Sequence, residues 1–282
     1  MKLGFYSPEI SGQNVGEVFA KAKGYGFTEV QYNFLTSHRE EMPGEFYPGE
    51  LEEVAEAALK NGIRITAVNG TFNMVDRDRT RKEEYIRRFR KICEAASFFG
   101  AKVVTLCTGS KSTEGMWRYS PESAGEDAWN DLLETTRRIM PLAAQHKLYF
   151  GVETEASNVI FTAKRCRRFL DQIGDPRLQV IMDCANLFPA GTAKKENVDA
   201  TIREAFELLG KDVILAHGKD IAESGTVSFA SPGMGIVNYE LFFEELKKIG
   251  YPGGLILHGV HDPADFPKCV ALMKDALRKT GM

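Results

Sequence analysis

Cysteine and histidine are both scarce in this 282-residue chain, with five of each. The cysteines (Cys93, Cys107, Cys166, Cys184 and Cys269) lie far apart and never form a Cys-x-x-Cys pair. That spacing excludes a disulfide framework and a thiolate zinc site, and leaves five reduced thiols expected in the core. Long apolar runs are missing as well: nothing approaches the roughly 18 residues a membrane helix needs. The N-terminal MKLGFYSPEISGQ carries no apolar stretch of signal-peptide length, so a cytoplasmic location is expected. Charge of one sign is absent too. With 36 Lys+Arg against 39 Asp+Glu the net charge is only −3, which provides no field to hold nucleic acid. No Pro-rich or Gly/Ser-rich linker divides the chain, so residues 1–282 are expected to form one domain.

What is present is a repeated unit: a short β-branched apolar run, a polar or Gly-containing loop, and a longer amphipathic segment. The apolar runs fall at 2–7, 28–33, 63–69, 102–108, 148–154, 178–184, 212–218 and 253–259. Between them, apolar residues recur every three or four positions, as at Tyr85, Phe89, Ile92, Cys93 and Ala96. Glycines at 26, 62, 100, 210 and 250 stand where a helix would end in a left-handed residue before the next strand. Strands that are each followed by a helix pair in parallel through right-handed crossovers. Eight units of about 35 residues predict an α/β fold, a single (β/α)8 TIM barrel. An open doubly wound sheet would carry a Gly-rich phosphate loop after its first strand, and SPEISGQN does not match one. The longest irregular stretches, 34–48, 109–123 and 185–196, follow strands 2, 4 and 6. They belong to the end where such barrels do chemistry.

That end filters the candidates, because functional side chains project from the C-terminal ends of barrel strands. Strand 5 ends with Glu153 and Glu155, strand 6 with Asp183 and Asn186, strand 7 with His217, Lys219 and Asp220, and strand 8 with His258. Glu153, Asp183, His217 and His258 follow one another at 30, 34 and 41 residues, one βα unit apart each time. Any one of them alone could simply hydrogen-bond at a strand end. Four at equivalent depth point to one divalent metal ion, and mixed oxygen and nitrogen ligands favour Mn, Co, Fe or Zn over Ca or Mg. Of the remaining histidines, His146 sits at a helix C-terminus at the opposite end, and His38 and His261 lie in loops at the right end. Asn69 closes strand 3, and Trp117 and Arg118 stand in the loop after strand 4, where an aromatic ring can stack on a sugar and a guanidinium can pair with an anion. The basic stretch from Arg77 to Arg90 is interleaved with Asp76, Asp78, Glu83 and Glu84, which reads as a solvated helix face.

These motifs in this order resemble the xylose isomerase-like TIM-barrel superfamily, in its sugar phosphate isomerase/epimerase branch related to the AP endonuclease 2 group. The residues are Gly-Val-Glu-Thr-Glu (151–155), Ile-Met-Asp-Cys-Ala-Asn-Leu-Phe (181–188), His-Gly-Lys-Asp (217–220), Gly-Met-Gly-Ile-Val-Asn-Tyr (233–239) and Leu-Ile-Leu-His-Gly (255–259), with Met-Trp-Arg-Tyr (116–119) after strand 4. The resemblance implies a metal held by Glu153, Asp183 and His217, with strand 8 supplying a fourth ligand. Its better-understood epimerases place a second glutamate there and work the two glutamates as an acid/base pair. Here the position is His258, and Asn186 stands where many of them carry a substrate-binding histidine. The endonuclease branch needs more histidine and acidic ligands than five histidines, one at the wrong end, allow.

The expectation is therefore a metal-dependent isomerase or epimerase acting on a sugar or related polyhydroxylated carbonyl compound. Glu153 is ligand and base, and Lys219 is the second catalytic group. Asn69, Trp117, Arg118, Glu155 and Asn186 contact substrate, and Asp220 orients His217. Manganese is the first choice of metal, then zinc or cobalt. The expected partner is a small carbohydrate, without nucleic acid or membrane and with homo-oligomerisation open. The alternatives are a lyase that cleaves an oxidised keto glycoside, for which a single base suffices, and a non-catalytic metal-binding or partner subunit.

Overall fold

A computed structural model describes residues 1–282. Its eight strands are β1 (Leu3–Tyr6), β2 (Glu29–Tyr32), β3 (Arg64–Asn69), β4 (Val103–Leu106), β5 (Tyr149–Glu153), β6 (Leu178–Asp183), β7 (Val213–Gly218) and β8 (Leu255–Leu257). Each falls inside one of the apolar runs. All pair in parallel, and β1 pairs with β8 through Leu3–Leu255, Gly4–Ile256 and Phe5–Leu257, which closes the sheet. The helices are α1 (Val15–Tyr25), α2 (Glu50–Asn61), α3 (Arg79–Phe98), α4 (Glu126–His146), α5 (Ala163–Ile173), α6 (Lys195–Leu209), α7 (Tyr239–Lys248) and α8 (Phe266–Thr280). The fold is the (β/α)8 barrel. No helix is long and apolar enough to cross a membrane.

Two cores hold it. Between sheet and helices lies the large one, where Phe5, Phe19, Phe89, Phe150 and Trp129 are fully enclosed. Inside the barrel, Ala67, Val103, Ile181, Leu215 and Ile256 fill the axis. Gly151 leaves room there: a Cβ on it would stand 2.7 Å from Ile181 Cγ1. All five cysteines are free and buried.

Helices begin at the functional end, where side-chain caps fix the loops. Asn14, Asp78, Thr162 and Asn238 each accept a hydrogen bond from an amide three residues on, which satisfies a donor that the first helical turn leaves unpaired. At the other end Gly26, Gly62, Gly100 and Gly250 take positive φ, as expected. Gly210 does not. Its φ is −53°, and the chain runs on into a 3-10 turn over Gly210–Asp212. That glycine serves close approach, since a Cβ there would lie 2.9 Å from Ile249 Cγ2.

One addition breaks the regular repeat: after β7, Asp220–Ile221 pairs antiparallel with Phe229–Ala230 in a small ribbon over the barrel mouth. The basic stretch on α3 is a paired surface, as expected. Arg81 meets Asp76, Arg87 and Arg88 meet Glu84, and Arg138 of α4 meets Glu83.

Candidate active site

The ends of β5, β6 and β7 bring Glu153, Asp183 and His217 together, with one ligand-type atom of each within 4.8 Å of the others. Parallel register does this. Asp183 and His217 are direct partners across β6 and β7, and Glu153 pairs with Ile181 one strand over. His217 Nδ1 lies 3.5 Å from Glu153 Oε1 and 3.5 Å from Asp183 Oδ2. The other ring nitrogen, Nε2, is 2.8 Å from Gln31 Oε1. With Nε2–H donating to Gln31, Nδ1 is the nitrogen turned toward the two carboxylates.

The hydrogen bonding of Asp183 is one-sided. Its Oδ1 accepts from the amides of Ala185 (2.8 Å) and Asn186 (3.0 Å), which turns the chain after β6. Its Oδ2 is buried without a partner in the protein, as is His217 Nδ1. Leaving such atoms unsatisfied costs about 1–3 kcal/mol each. A divalent cation fits between them. Two ligands at about 2.1 Å from a tetrahedral ion stand about 3.4 Å apart, close to the observed spacing.

The electrostatics follow from burial and proximity. Burial raises the Glu153 carboxyl above the usual range, against the pull of the His217 charge. Burial acts the same way on Asp183, but the nearby His217 ring and the Lys219 charge outweigh it and hold that group well below the usual range. Burial draws the His217 imidazole down, yet Glu153 and Asp183 prevail and lift it to about 9.

His258 stands beside these three without joining them. Its ring stacks on His217 with centroids 5.5 Å apart and on Tyr6 at 4.5 Å. Its Nδ1 points to Glu9, 3.7 Å from Oε1. Burial, then Lys219 and His217, push this imidazole well below its ordinary value, so it is neutral.

Above the cluster opens a cavity of about 660 Å³. Asn69, Glu153, Glu155, Asn186, Lys219 and His258 line it. Trp117 and Arg118, both exposed, stand at its rim. A hydrogen-bonded chain runs along the floor: Lys219 Nζ donates to Asn186 Oδ1 (3.1 Å), and Asn186 Nδ2 donates to Glu153 Oε1 (2.7 Å). The ammonium also sits 3.5 Å over the Phe229 ring. The Glu155 carboxyl is raised by burial and accepts only from Ser157.

Asp220 does not orient His217. Its oxygens accept from the amides of Ile221, Gly233, Gly235 and Val237, so the carboxylate ties down the loop that follows the ribbon. Gln31 is what holds His217. His38 bonds the Gln13 carbonyl in another cleft, and His261 is exposed.

Three residues of the opposite wall were missed. Gln31 is a polar side chain between Val30 and Tyr32 in a buried strand, and that interruption was the available signal. Glu9 follows β1 and caps the loop after β8, accepting from the amides of Gly259 (2.6 Å) and Val260 (3.1 Å). Burial raises it to about 7 against those bonds. Glu41, in the loop after β2, accepts at Oε1 from Asn33 (3.0 Å) and Asn69 (2.9 Å) and lines the cavity, with its carboxyl raised by burial.

The sequence profile of the xylose isomerase-like TIM barrel matches residues 19–276. The chain belongs to that family. Within reach of family members, an inosose dehydratase of Glaesserella parasuis serovar 5 (strain SH0165) is 24% identical over 241 residues, 78% of either chain. The apo crystal structure of the 3-keto-D-glucoside 4-epimerase YcjR from E. coli superposes with a TM-score of 0.74 at 21% identity, covering 98% of this chain and 99% of that one. The IolI protein with a bound zinc atom superposes at 0.73 with 16% identity, covering 99% and 98%. At these identities the solved structures establish the shared barrel.

Proposed function

We propose that the protein is a divalent-metal-dependent isomerase or epimerase acting on a sugar or related polyhydroxylated carbonyl compound by proton abstraction. One observation carries the reading: Asp183 Oδ2 and His217 Nδ1, buried and unpartnered, meet Glu153 under a cavity with a polar floor. The names of its relatives, an inosose dehydratase, a keto-glucoside epimerase and a zinc-binding IolI, support a carbonyl-bearing sugar or polyol as substrate.

Glu153, Asp183 and His217 would hold the ion, while His258 stacks on His217 and turns its Nδ1 to Glu9. The oxygen and nitrogen donors favour manganese, with zinc and cobalt next. A bound ion supplies Lewis acidity to a carbonyl oxygen and so acidifies the neighbouring C–H. The remaining work falls to side chains. Glu153, raised by burial, takes the proton, and its geometry is fixed by the Asn186 amide. Lys219, held by Asn186, balances negative charge developing on the substrate oxygen or returns the proton. Asn69, Glu155 and Asn186 orient hydroxyls, and Trp117 and Arg118 stand over them at the rim.

The lyase reading draws on His258 standing where a second glutamate would act. Glu41 favours proton return instead. It presents a carboxyl from the β2–β3 side of the mouth, across from the β6–β7 ligands in the strand order, and burial raises that carboxyl above its usual range against the Asn33 and Asn69 hydrogen bonds. The test is hydrogen exchange in deuterated water with manganese-loaded protein and a panel of ketoses and keto glycosides. Wild type is expected to place deuterium beside the carbonyl, and Glu153→Gln to slow that by about 10²–10⁴. No exchange with any substrate, or equal exchange in the variant, sinks the proposal. Release of a free second fragment without exchange into recovered substrate would favour the lyase.

A further inference from the structure

The cavity has two zones. Its floor is polar, and its rim is apolar and built from three separate loops. Trp117 and Tyr119 come from the loop after β4, Ala190 from the loop after β6, and Val227 and Phe229 from the ribbon after β7. Trp117 is 54% exposed and Tyr119 is 71% exposed, which makes them two of the few large apolar side chains the protein shows to solvent. Single exposed aromatics are ordinary on a protein surface. A pair at the rim of a polar pocket, on an immobilised backbone, is not.

The backbone around them is fastened on both sides. The Met116 carbonyl accepts from Asn158 Nδ2 (2.9 Å), and the Arg118 carbonyl accepts from Ser110 Oγ (2.6 Å). Asn158 is itself 1% exposed and also accepts from the Gly109 amide (2.7 Å). The carbonyls on either side of Trp117 are thus both tied to buried side chains, one from the segment after β5 and one from the loop's own base. A loop packing on itself would bury its aromatic rings; this one fixes its main chain and leaves the rings outside. Rings held in place before a ligand arrives lose little freedom when it stacks on them.

The size agrees. About 660 Å³ is the scale that encloses a drug-sized ligand rather than one sugar ring. We infer that the substrate is a glycoside: a keto-sugar ring rests on the polar floor, and a second ring joined to it is held at the rim against Trp117 and Tyr119. This rests on the carbonyl-sugar reading above and extends it from a free ketose to a two-ring compound. The shared chemistry of the second ring is an apolar face, which an aryl group and a pyranose both offer.

Calorimetry with manganese-loaded protein compares methyl 3-keto-β-D-glucopyranoside, its phenyl counterpart and 3-keto-cellobiose. At least one two-ring ligand is expected to bind about tenfold tighter than the methyl glycoside, and the double variant Trp117→Ala/Tyr119→Ala to bring that ratio close to one. Preference for the phenyl compound alone marks an aryl group, and preference for both marks any stacked ring; each supports the subsite. In wild type, ligand stacking also changes tryptophan fluorescence through Trp117, because the second of the two tryptophans, Trp129, is 1% exposed. A wild-type ratio near one, a ratio that survives the double variant, or no binding of any of the three overturns the inference. None of these readouts needs turnover. Deuterium exchange into free ketoses without two-ring preference would remove the subsite and leave the isomerase, whereas two-ring preference without exchange would do the reverse.

Discussion

At the N-terminal end of the barrel, Glu29 is 2% exposed, yet its carboxylate meets the Arg64 guanidinium of the next strand. Nearby, the Tyr251 hydroxyl donates to the Gly254 carbonyl (2.9 Å) and accepts from the Ala216 amide (3.1 Å). At the C-terminal end, Asp183 and His217 are buried just as deeply, but each keeps one polar atom without a partner. The first arrangement suits stability, since both Glu29 and Tyr251 are satisfied. The second does not, and like charges on Glu153 and Asp183 add to its cost. Buried polar groups in native proteins are almost always paired, so an unpaired cluster in a pocket marks where structure has been given over to function.

The sharpest way to break this contrast is Asp183→Asn. The asparagine oxygen can still accept from the Ala185 and Asn186 amides, so the turn after β6 survives. Its amide nitrogen replaces the unpaired oxygen and donates toward Glu153, removing a charge from a crowded place. Metal affinity is expected to fall by more than about a hundredfold, and exchange activity with it. The melting temperature of metal-free protein should hold or rise. Wild-type metal affinity by titration calorimetry, or a metal-free variant that melts well below wild type, would show that Asp183 serves the fold instead.

A smaller effect is expected one contact away. Gln31 fixes the His217 ring by accepting from Nε2. Gln31→Leu should weaken metal binding by about 10–100-fold, while Gln31→Glu, which keeps an acceptor, should retain most of the affinity. Equal affinities for the two variants would mean the ring is held by packing between its neighbours and not by this bond.

The β5–β7 wall of the site was legible in the sequence because its residues obey the barrel's own period: each ends a strand, one βα unit after the last. The wall made by β1 and β2 obeys no such period, and His258 at the end of β8 keeps the period yet does not join the other three. Glu9 sits in a short 3-10 turn after β1 and is fixed by amides 250 and 251 residues away. Glu41 lies mid-loop and is placed by two asparagines from different strand ends. Contacts of that range leave no local trace. Asp220 shows the opposite error. Three residues from His217 in sequence, it was expected to serve that ring, but the chain leaves the barrel after Gly218 and the carboxylate turns to the amides of its own loop. Gly210 failed for a similar reason, because a neighbouring side chain rather than a left-handed turn required the missing Cβ there.

The smallest effect belongs to the satisfied end, and it makes the control for the other two. Glu29→Gln removes a buried charge whose partner, Arg64, is 65% exposed and stays hydrated without it. The pair is therefore worth little, about 1 kcal/mol, or a melting shift of about 2–4 °C for a chain of this size. Metal affinity and exchange rate should not move, because the barrel core separates Glu29 from the ligands. If Glu29→Gln weakened metal binding as much as Gln31→Leu does, the two ends would be coupled through the barrel. Unpaired groups at one end would then no longer distinguish function from architecture.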